Sequence, residues 1–163
     1  MALAAPQPID ETHHIGAFDC GVPVLDDWLK RRAKANQASG AARTYVVSED
    51  RRVVAYYALA AGAVEVEAGT GRVRRNMPDP VPVAVLGRLA VDRGFQSRGL
   101  GRALARDAAR RVLQAADIIG IRGIVVHAIS PEAKAFYLAL GLEASPLQPM
   151  TLMATLADLR GTL

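Results

Sequence analysis

The chain has little cysteine, no long apolar run and no sign of a secretion signal. Cys20 is the only cysteine among 163 residues, which excludes an internal disulfide and a thiolate metal cluster. The apolar stretches fall far short of the roughly 20 residues that a membrane helix needs. Residues 1–8 lack the basic start and apolar centre of a signal peptide. We therefore expect a cytoplasmic protein without membrane contact, and a frayed arm at residues 1–8.

Histidine is too sparse and too scattered to predict a metal site. His13 and His14 are adjacent rather than four residues apart, and His127 stands alone in an apolar strand. We expect no metal. A nucleophilic Cys20 remains open, although the surrounding Phe18–Pro23 segment indicates a turn that leads into a helix.

The length and the patterning predict one α/β domain, spanning residues 1–163, with a mixed sheet. Apolar residues make up 51% of the chain, in short runs broken by charge and glycine, which is typical of a globular core. Period and turn residues predict helices at 23–36, 102–116 and 131–140, strands at 43–48, 52–59, 83–91, 123–129 and 151–156, and an exposed loop at 69–82.

Positive charge exceeds negative charge and is grouped. The net charge is +4 and the pI is about 9.6. Grouped cations either form solvated helix faces or bind a polyanion such as nucleic acid or a phosphate-rich cofactor. The candidates for nucleic-acid contact are Lys30, Arg31, Arg32, Lys34, Arg72, Arg74, Arg75 and Arg88.

The segment Gln96–Gly101 lies between a predicted strand and a predicted helix, which is the geometry of a phosphate-binding loop. The first backbone N–H groups of a helix lack partners and point at one spot, where the helix dipole is positive. Gly99 and Gly101 allow the backbone to approach a ligand closely. Arg98 and Arg102 add fixed positive charge.

This loop is neither of the two common nucleotide motifs. Leu100-Gly101 stands where a Walker A loop has Lys-Ser or Lys-Thr, and Leu104 takes the third glycine position of a Rossmann fingerprint. The spacing Gln96, Gly99, Gly101 resembles the acetyl-CoA loop of the GNAT superfamily. This resemblance implies a mostly antiparallel sheet with splayed strands and flanking helices. It implies acetyl-CoA contacts from Leu89, Ala90, Val91, Gln96, Ser97, Arg98, Gly99, Leu100, Gly101, Arg102 and Ser130.

A second motif, Ala133–Leu142, is similar to the A-x-x-F/L-Y-x-x-x-G-F element that closes GNAT domains. The resemblance implies that Tyr137 lies beside the thioester sulfur and donates a proton to the departing thiolate. The alternative role for Tyr137 is core packing with a hydrogen-bonded hydroxyl. Many relatives have Asn where this chain has Ser130.

The acetyl carbonyl needs a donor, and the resemblance implies the N–H of Val91. No acidic residue is an obvious general base, since Asp92 is better explained by a turn. A lysine amine with a pKa of about 10.4 would need such a base, whereas an α-amine at roughly 7.7–8.0 is partly neutral at pH 7. The sequence therefore favours an α-amine substrate.

Further segments resemble the toxin acetyltransferases of bacterial toxin–antitoxin pairs. They are Phe18–Gly21, Leu25–Leu29 followed by Ala33, Tyr45–Val47, Val54–Leu59, and Val81–Val83 ahead of Leu86–Asp92. The resemblance implies acetylation of the α-amine of aminoacyl-tRNA, a homodimer, and neutralisation by a ribbon-helix-helix antitoxin. It implies promoter DNA binding only through the complex with that antitoxin. Two alternatives stay open: an acetyltransferase for a small amine or a protein N-terminus, and a non-enzymatic regulator that binds DNA or a partner.

Overall fold

The computed structural model describes residues 3–162 as a mixed α/β fold. Its strands are β1 (Gln7–Pro8), β2 (Arg43–Glu49), β3 (Arg52–Val64), β4 (Val81–Val91), β5 (Gly123–His127), β6 (Glu143–Ala144) and β7 (Thr151–Thr155). Its α-helices are α1 (Pro23–Trp28), α2 (Lys34–Ser39), α3 (Gly71–Arg74), α4 (Leu100–Ala116), α5 (Pro131–Ala139) and α6 (Leu156–Thr162).

The strands form one seven-stranded sheet in the order β1-β2-β3-β4-β5-β7-β6. β1 with β2, β2 with β3, β5 with β7 and β6 with β7 are antiparallel. β4 and β5 are parallel and pair through Ala84–Leu86 and Ile124–Val126. The continuous apolar run of β4 fits its central place in the sheet, because a central strand is covered on both faces. The predicted mixed sheet is confirmed.

The chain divides into two compact units, each built from two chain segments. The first contains residues up to Ala60 together with Gly87–Ala108, and the second contains Ala61–Leu86 together with the residues from Ala109 onward. The core of the first unit includes Phe18 from the segment before α1, Leu29 directly after α1, and Tyr56 of β3. The core of the second unit is Val73, Val81, Val83, Val125 and Met153.

The helix predicted at 23–36 is helical, but it contains a π turn. Residues Leu29–Ala33 form this turn between α1 and α2, with Leu29 and Ala33 fully buried. A π turn carries one more residue per hydrogen-bonded ring than an α-helix and is frequent at functional sites. The exposed side chains of this turn are Lys30, Arg31 and Arg32.

Two expectations about the chain are corrected by the structure, and the strand predicted at 151–156 ends one residue earlier, at Thr155. The predicted arm at residues 1–8 includes β1, which pairs with β2, while the Ala4 N–H donates to the Ser48 carbonyl at 2.9 Å. Met1 and Ala2 lie outside the described residues. The predicted loop at 69–82 contains α3, because the Thr70 hydroxyl caps it by accepting from the Val73 N–H. The last strand is followed by α6, whose first turn is tied down by hydrogen bonds between Thr155 and Asp158.

Within residues 3–162, no helix is both long enough and apolar enough to cross a membrane.

Gly123 gives a test of the packing between β5 and β7. A Cβ at this position would lie 1.9 Å from the Ala154 carbonyl oxygen, so the two backbones can approach only if residue 123 has no side chain. We expect Gly123→Ala to lower the unfolding free energy by about 1–3 kcal/mol, the usual cost of overpacking. The measurement is the denaturant midpoint. Gly71→Ala is the control, because no atom lies within 4 Å of its Cβ, and equal midpoints for both variants would contradict the prediction.

Candidate active site

The loop after β4 presents the N-terminus of a long helix. Ser97 and Gly99 have left-handed backbone angles, φ 64° and 81°, and α4 begins at Leu100. A Cβ on Gly99 would meet no atom within 4 Å, so the positive φ, and not crowding, favours glycine there. The first turn of α4 contains no acidic residue. Its free N–H groups therefore form an uncancelled positive end, which suits a phosphate.

Two cationic side chains flank this helix start. Both Arg98 and Arg102 are exposed. The guanidinium carbon of Arg98 lies 5.0 Å from the centre of the Phe95 ring, which restrains its position. The structure therefore brings Gln96–Arg102 together as one exposed, positively charged segment.

Gln96 holds the loop in place. Its Nε2 donates to the carbonyl oxygens of Val91 at 2.9 Å and Cys20 at 3.0 Å. Both donor hydrogens of the side-chain amide are thereby used within the protein. Gln96 is exposed, and its amide shapes the loop by joining it to these two carbonyls.

Asp92 ties the same loop to the turn that precedes α1. Its carboxylate accepts from the N–H groups of Asp19 at 3.1 Å and Gly94 at 3.0 Å, and lies 3.5 Å from Arg52. The Arg93 N–H donates to the Asp19 carbonyl at 2.8 Å. Asp92 is buried. A buried carboxylate that accepts these bonds is a structural group, which agrees with the turn role expected for it.

The turn that holds Cys20 is part of this scaffold. The Cys20 N–H donates to Asp26 at 2.9 Å, and burial, followed by hydrogen bonding to Asp26, raises the pKa of the thiol to about 11. The thiol is therefore protonated at neutral pH. Because the thiolate is the nucleophilic form, this environment argues against a nucleophilic Cys20.

The strand residues predicted to contact the acetyl group lie at the end of β4. Ala90 is buried, and Leu89 and Val91 are half-buried. The Val91 carbonyl is already engaged by Gln96.

In the second unit, α5 places Tyr137 in a buried position. Ser130 caps this helix by accepting from the Ala133 N–H at 3.0 Å, and Pro131 occupies the first turn. Tyr137 is 7% exposed, and its ring packs edge-on against Phe136 at 5.1 Å between centroids. Burial raises the pKa of its phenol to about 12.

The Tyr137 hydroxyl differs from those of the other two most buried tyrosines. The Tyr56 hydroxyl donates to the Leu25 carbonyl at 2.6 Å, and the Tyr57 hydroxyl bonds to Asp107. The Tyr137 hydroxyl makes no hydrogen bond with the residues that the structure describes, and its oxygen is not among the fully buried atoms that lack a partner, which are His13 Nε2 and Thr44 Oγ1. No described residue therefore engages this hydroxyl, and its role in the transfer stays a prediction.

The predicted nucleic-acid contacts fall into two groups, one in each unit. In the first unit, Lys30, Arg31 and Arg32 are exposed on the π turn, and the Arg88 guanidinium lies 4.6 Å from the Trp28 ring centre. Lys34 is engaged locally, since its Nζ donates to the His13 carbonyl at 3.0 Å.

In the second unit, Arg72, Arg74 and Arg75 are exposed at and just after α3. Arg72 is paired with Asp158 at 2.5 Å.

Across residues 3–162, no three His, Cys, Asp or Glu side chains are grouped as metal ligands.

Comparison with known proteins decides the family. The model of the Acetyltransferase (GNAT) family matches residues 10–142, most of the chain. The chain belongs to the GNAT family.

Relatives of known structure or activity within this family cover nearly the whole chain. It is 52% identical over 157 residues to a tRNA-acetylating toxin of Mycobacterium tuberculosis (strain ATCC 25618 / H37Rv), covering 96% of this chain and 95% of that protein. It resembles AtaT complexed with acetyl-methionyl-tRNAfMet, with TM-score 0.89, 26% identity and 98% of both chains covered. It also resembles an AtaT mutant toxin bound to acetyl-CoA and the C-terminus of the antitoxin AtaR, with TM-score 0.83, 26% identity and coverage of 98% and 97%.

Sequence reasoning found the GNAT loop and tyrosine but missed the bonds that support the loop. The contacts of Asp92 with Asp19, and of Gln96 with Cys20, join segments more than 70 residues apart. The only available signal was the pair of acidic and glycine-containing turns, which a single sequence does not connect.

Gln96→Ala tests whether this side chain shapes the GNAT loop. Losing both bonds to carbonyl oxygens should free the loop, at about 0.5–1.5 kcal/mol for each bond. We expect roughly 10-fold or greater weakening of CoA binding, measured by calorimetry. The exposed Gln114 of α4 gives the matched control, Gln114→Ala. Unchanged affinity in Gln96→Ala would show that the loop holds its shape without these bonds.

The raised pKa of Tyr137 predicts when its phenol ionises. Burial favours the neutral phenol, so Tyr137 should remain protonated through pH 10 and ionise near pH 12. Its contribution to stability is therefore complete below about pH 10, the unfolded-state pKa, and is lost as pH rises toward 12. The check is the phenolate absorbance of the wild type minus that of Tyr137→Phe as pH increases. A difference that appears at pH 9–10 would contradict the assigned environment.

Proposed function

We propose that this protein is a toxin that transfers acetyl from acetyl-CoA to the α-amine of aminoacyl-tRNA and so blocks translation. Two structural features support the transfer: the positive helix start at Gln96–Arg102 and the protonated hydroxyl of Tyr137, which no described residue engages. The observation that carries the choice of acceptor is the 52% identity to the mycobacterial tRNA-acetylating toxin along almost the whole chain.

The residues present fit acetyl-CoA. The N-terminus of α4 lacks an acidic residue in its first turn, and the loop before it is exposed with Arg98 and Arg102 beside it, so it suits the pyrophosphate. We assign the cofactor contacts to Leu89–Val91, Gln96–Arg102 and Ser130. When bound, acetyl-CoA supplies an activated thioester. Gln96 acts through the loop, and the Ser130 oxygen already accepts from Ala133.

In this proposal the Val91 N–H stabilises charge that develops on the acetyl oxygen. Tyr137 holds a proton at its Oη beside the leaving sulfur. A pKa of about 12 makes this phenol a weaker acid than an ordinary thiol near 8.5. Tyr137 therefore acts mainly as a hydrogen-bond donor to the sulfur. The C–N bond forms as the C–S bond breaks, and the proton that the attacking amine loses ends on the departing sulfur as a thiol.

No side chain is assigned as general base. Asp92 is buried and accepts bonds from backbone N–H groups. An α-amine near 7.7–8.0 is partly neutral at pH 7, and an adjacent ester lowers its pKa further. The substrate thus supplies the neutral amine that the site does not generate.

The wider setting is part of the same proposal. The chain acts in the cytoplasm as one GNAT domain and as a homodimer, and it needs no metal. A ribbon-helix-helix antitoxin neutralises it and brings it to promoter DNA. A relative of similar fold, AtaT, has been solved with the C-terminus of its antitoxin. The cations Lys30, Arg31, Arg32, Lys34, Arg72, Arg74, Arg75 and Arg88 are assigned to RNA, with Lys34 the less exposed of the two lysines among them.

The test supplies labelled acetyl-CoA with charged tRNA, with the same tRNA deacylated, and with small amines or peptide N-termini. We expect label on charged tRNA alone. Tyr137→Phe should lower kcat by roughly 10²–10³-fold, the usual cost of removing one hydrogen-bond donor that stabilises developing charge.

Cys20→Ser serves as the control variant, because the thiol takes no part in the proposed transfer. Label on small amines without RNA would replace the tRNA assignment with the small-amine alternative. Nucleic-acid binding without any transfer would favour the non-enzymatic regulator.

A further inference from the structure

The second unit has an open cavity with an unusual lining. Its volume is about 550 Å³, and four arginines line it: Arg72, Arg75, Arg122 and Arg160. The cavity lining includes no acidic residue. The remaining wall is largely apolar and includes Met77, Pro82, Ile121 and Leu156.

Arg122 is held rigidly by backbone carbonyls. Its Nε donates to the Val73 carbonyl at 3.2 Å and its terminal nitrogen to the Arg72 carbonyl at 2.6 Å. The Arg122 backbone is held too, since its N–H donates to the Pro82 carbonyl at 2.8 Å and its carbonyl accepts from Leu156 at 3.0 Å. Neutral partners leave the guanidinium charge intact. The result is a positioned cation at the cavity wall.

The other arginines are not equivalent. Arg72 is neutralised by Asp158 at 2.5 Å. Burial alone would raise the pKa of Asp158, but hydrogen bonds from Thr155 and Arg72 lower it, so this carboxylate is charged at neutral pH. Arg75 and Arg160 are exposed, and within residues 3–162 neither has an ion-pair partner. Three uncompensated guanidinium groups therefore face one cavity.

This combination suits a phosphodiester with its sugar and base. Guanidinium groups bind phosphate oxygens in pairs of hydrogen bonds, and an apolar wall accommodates the faces of a sugar or base. A volume of about 550 Å³ lies in the range of small-ligand sites and exceeds what a bare phosphate needs. Arg74, exposed on the same short helix, extends the positive charge along the chain, which a polymer of phosphates uses better than a single nucleotide.

We propose that this cavity binds the sugar–phosphate backbone of the RNA substrate through Arg75, Arg122 and Arg160. The inference rests on the proposed function for the identity of the RNA. It adds Arg122 and Arg160 to the predicted contacts, and Arg72, which is paired with Asp158, lies in the same wall.

The test measures binding of deacylated tRNA to the full-length protein at several salt concentrations. The double variant Arg75→Ala with Arg160→Ala should bind about 10-fold more weakly, and its salt slope should fall by about 1–2, as expected for one or two lost phosphate contacts. Arg110→Ala, an exposed arginine of α4 outside the cavity, is the matched control. A double variant with the affinity and slope of this control would overturn the proposal.

Two further arms distinguish backbone binding in the cavity from a general loss of stability and from mononucleotide binding. Arg75→Lys with Arg160→Lys keeps the charge and should retain most of the salt slope. If the double alanine variant loses thermal stability, Arg160→Glu alone should still weaken tRNA binding, and its failure to do so would overturn the proposal. AMP at millimolar concentration should compete poorly with tRNA, whereas AMP that displaces tRNA with micromolar affinity would make the cavity a mononucleotide site and overturn the RNA assignment.

Failure of the proposed function gives a different result. Binding of deacylated tRNA requires no acetyl transfer, so the cavity variants remain informative if charged tRNA proves not to be acetylated. Where wild-type transfer does occur, the double alanine variant should raise the KM for charged tRNA and leave turnover of a small amino-acid ester unchanged. Equal loss on both substrates would contradict a backbone-binding role.

Discussion

The buried carboxylate of Asp92 is the interaction on which the phosphate-binding loop depends. It joins the end of β4 to the turn before α1 by accepting from Asp19, while Arg93 and Gln96 return hydrogen bonds to the carbonyls of Asp19 and Cys20. Removing one partner from such a group leaves buried acceptors or donors unpaired, which costs more than the bond itself contributes. The loop has its shape because the turn before α1 and the segment after β4 supply hydrogen-bond donors and acceptors to each other.

This arrangement changes how the glutamine of the loop is understood. A glutamine at the start of a phosphate loop suggests a ligand contact, yet both hydrogens of the Gln96 amide are donated to carbonyls of the protein. The donors that the proposed function assigns to the ligand are therefore the backbone N–H groups at the start of α4. Tyr137 shows the opposite pattern, because its side chain is buried and its hydroxyl hydrogen-bonds with none of the described residues. The contrast separates a residue that shapes a site from one that is available to it.

Local patterns in the sequence were sufficient for most of the fold. The helices α4 and α5, the strands β2–β5, the cap at Ser130 and the loop at Gln96–Gly101 follow from periodicity and turn residues, and they are present where predicted. The short elements were missed because α3 has only four residues and β1 has two. Segments this short do not show the repeating pattern of apolar residues from which helices and strands are predicted. The π turn was missed for another reason: its residues keep helical spacing to within one position. Of the arginines that line the cavity, the sequence predicted Arg72 and Arg75 as contacts but not Arg122 and Arg160. The last two lie in separate segments of the chain, and no local pattern connects them.

Each compact unit is discontinuous in the chain, and this has a consequence for synthesis. The boundaries fall within β3, β4 and α4, so the chain leaves each unit and later returns to it. The first unit is incomplete until Ala108 has left the ribosome, and the second is incomplete until β7 has, because Met153 belongs to its core. A nascent fragment therefore has Gln96–Gly101 long before it has a finished second unit around Tyr137. If Tyr137 takes part in the proposed transfer, a fragment that ends before β7 lacks the complete core of the unit that holds this residue.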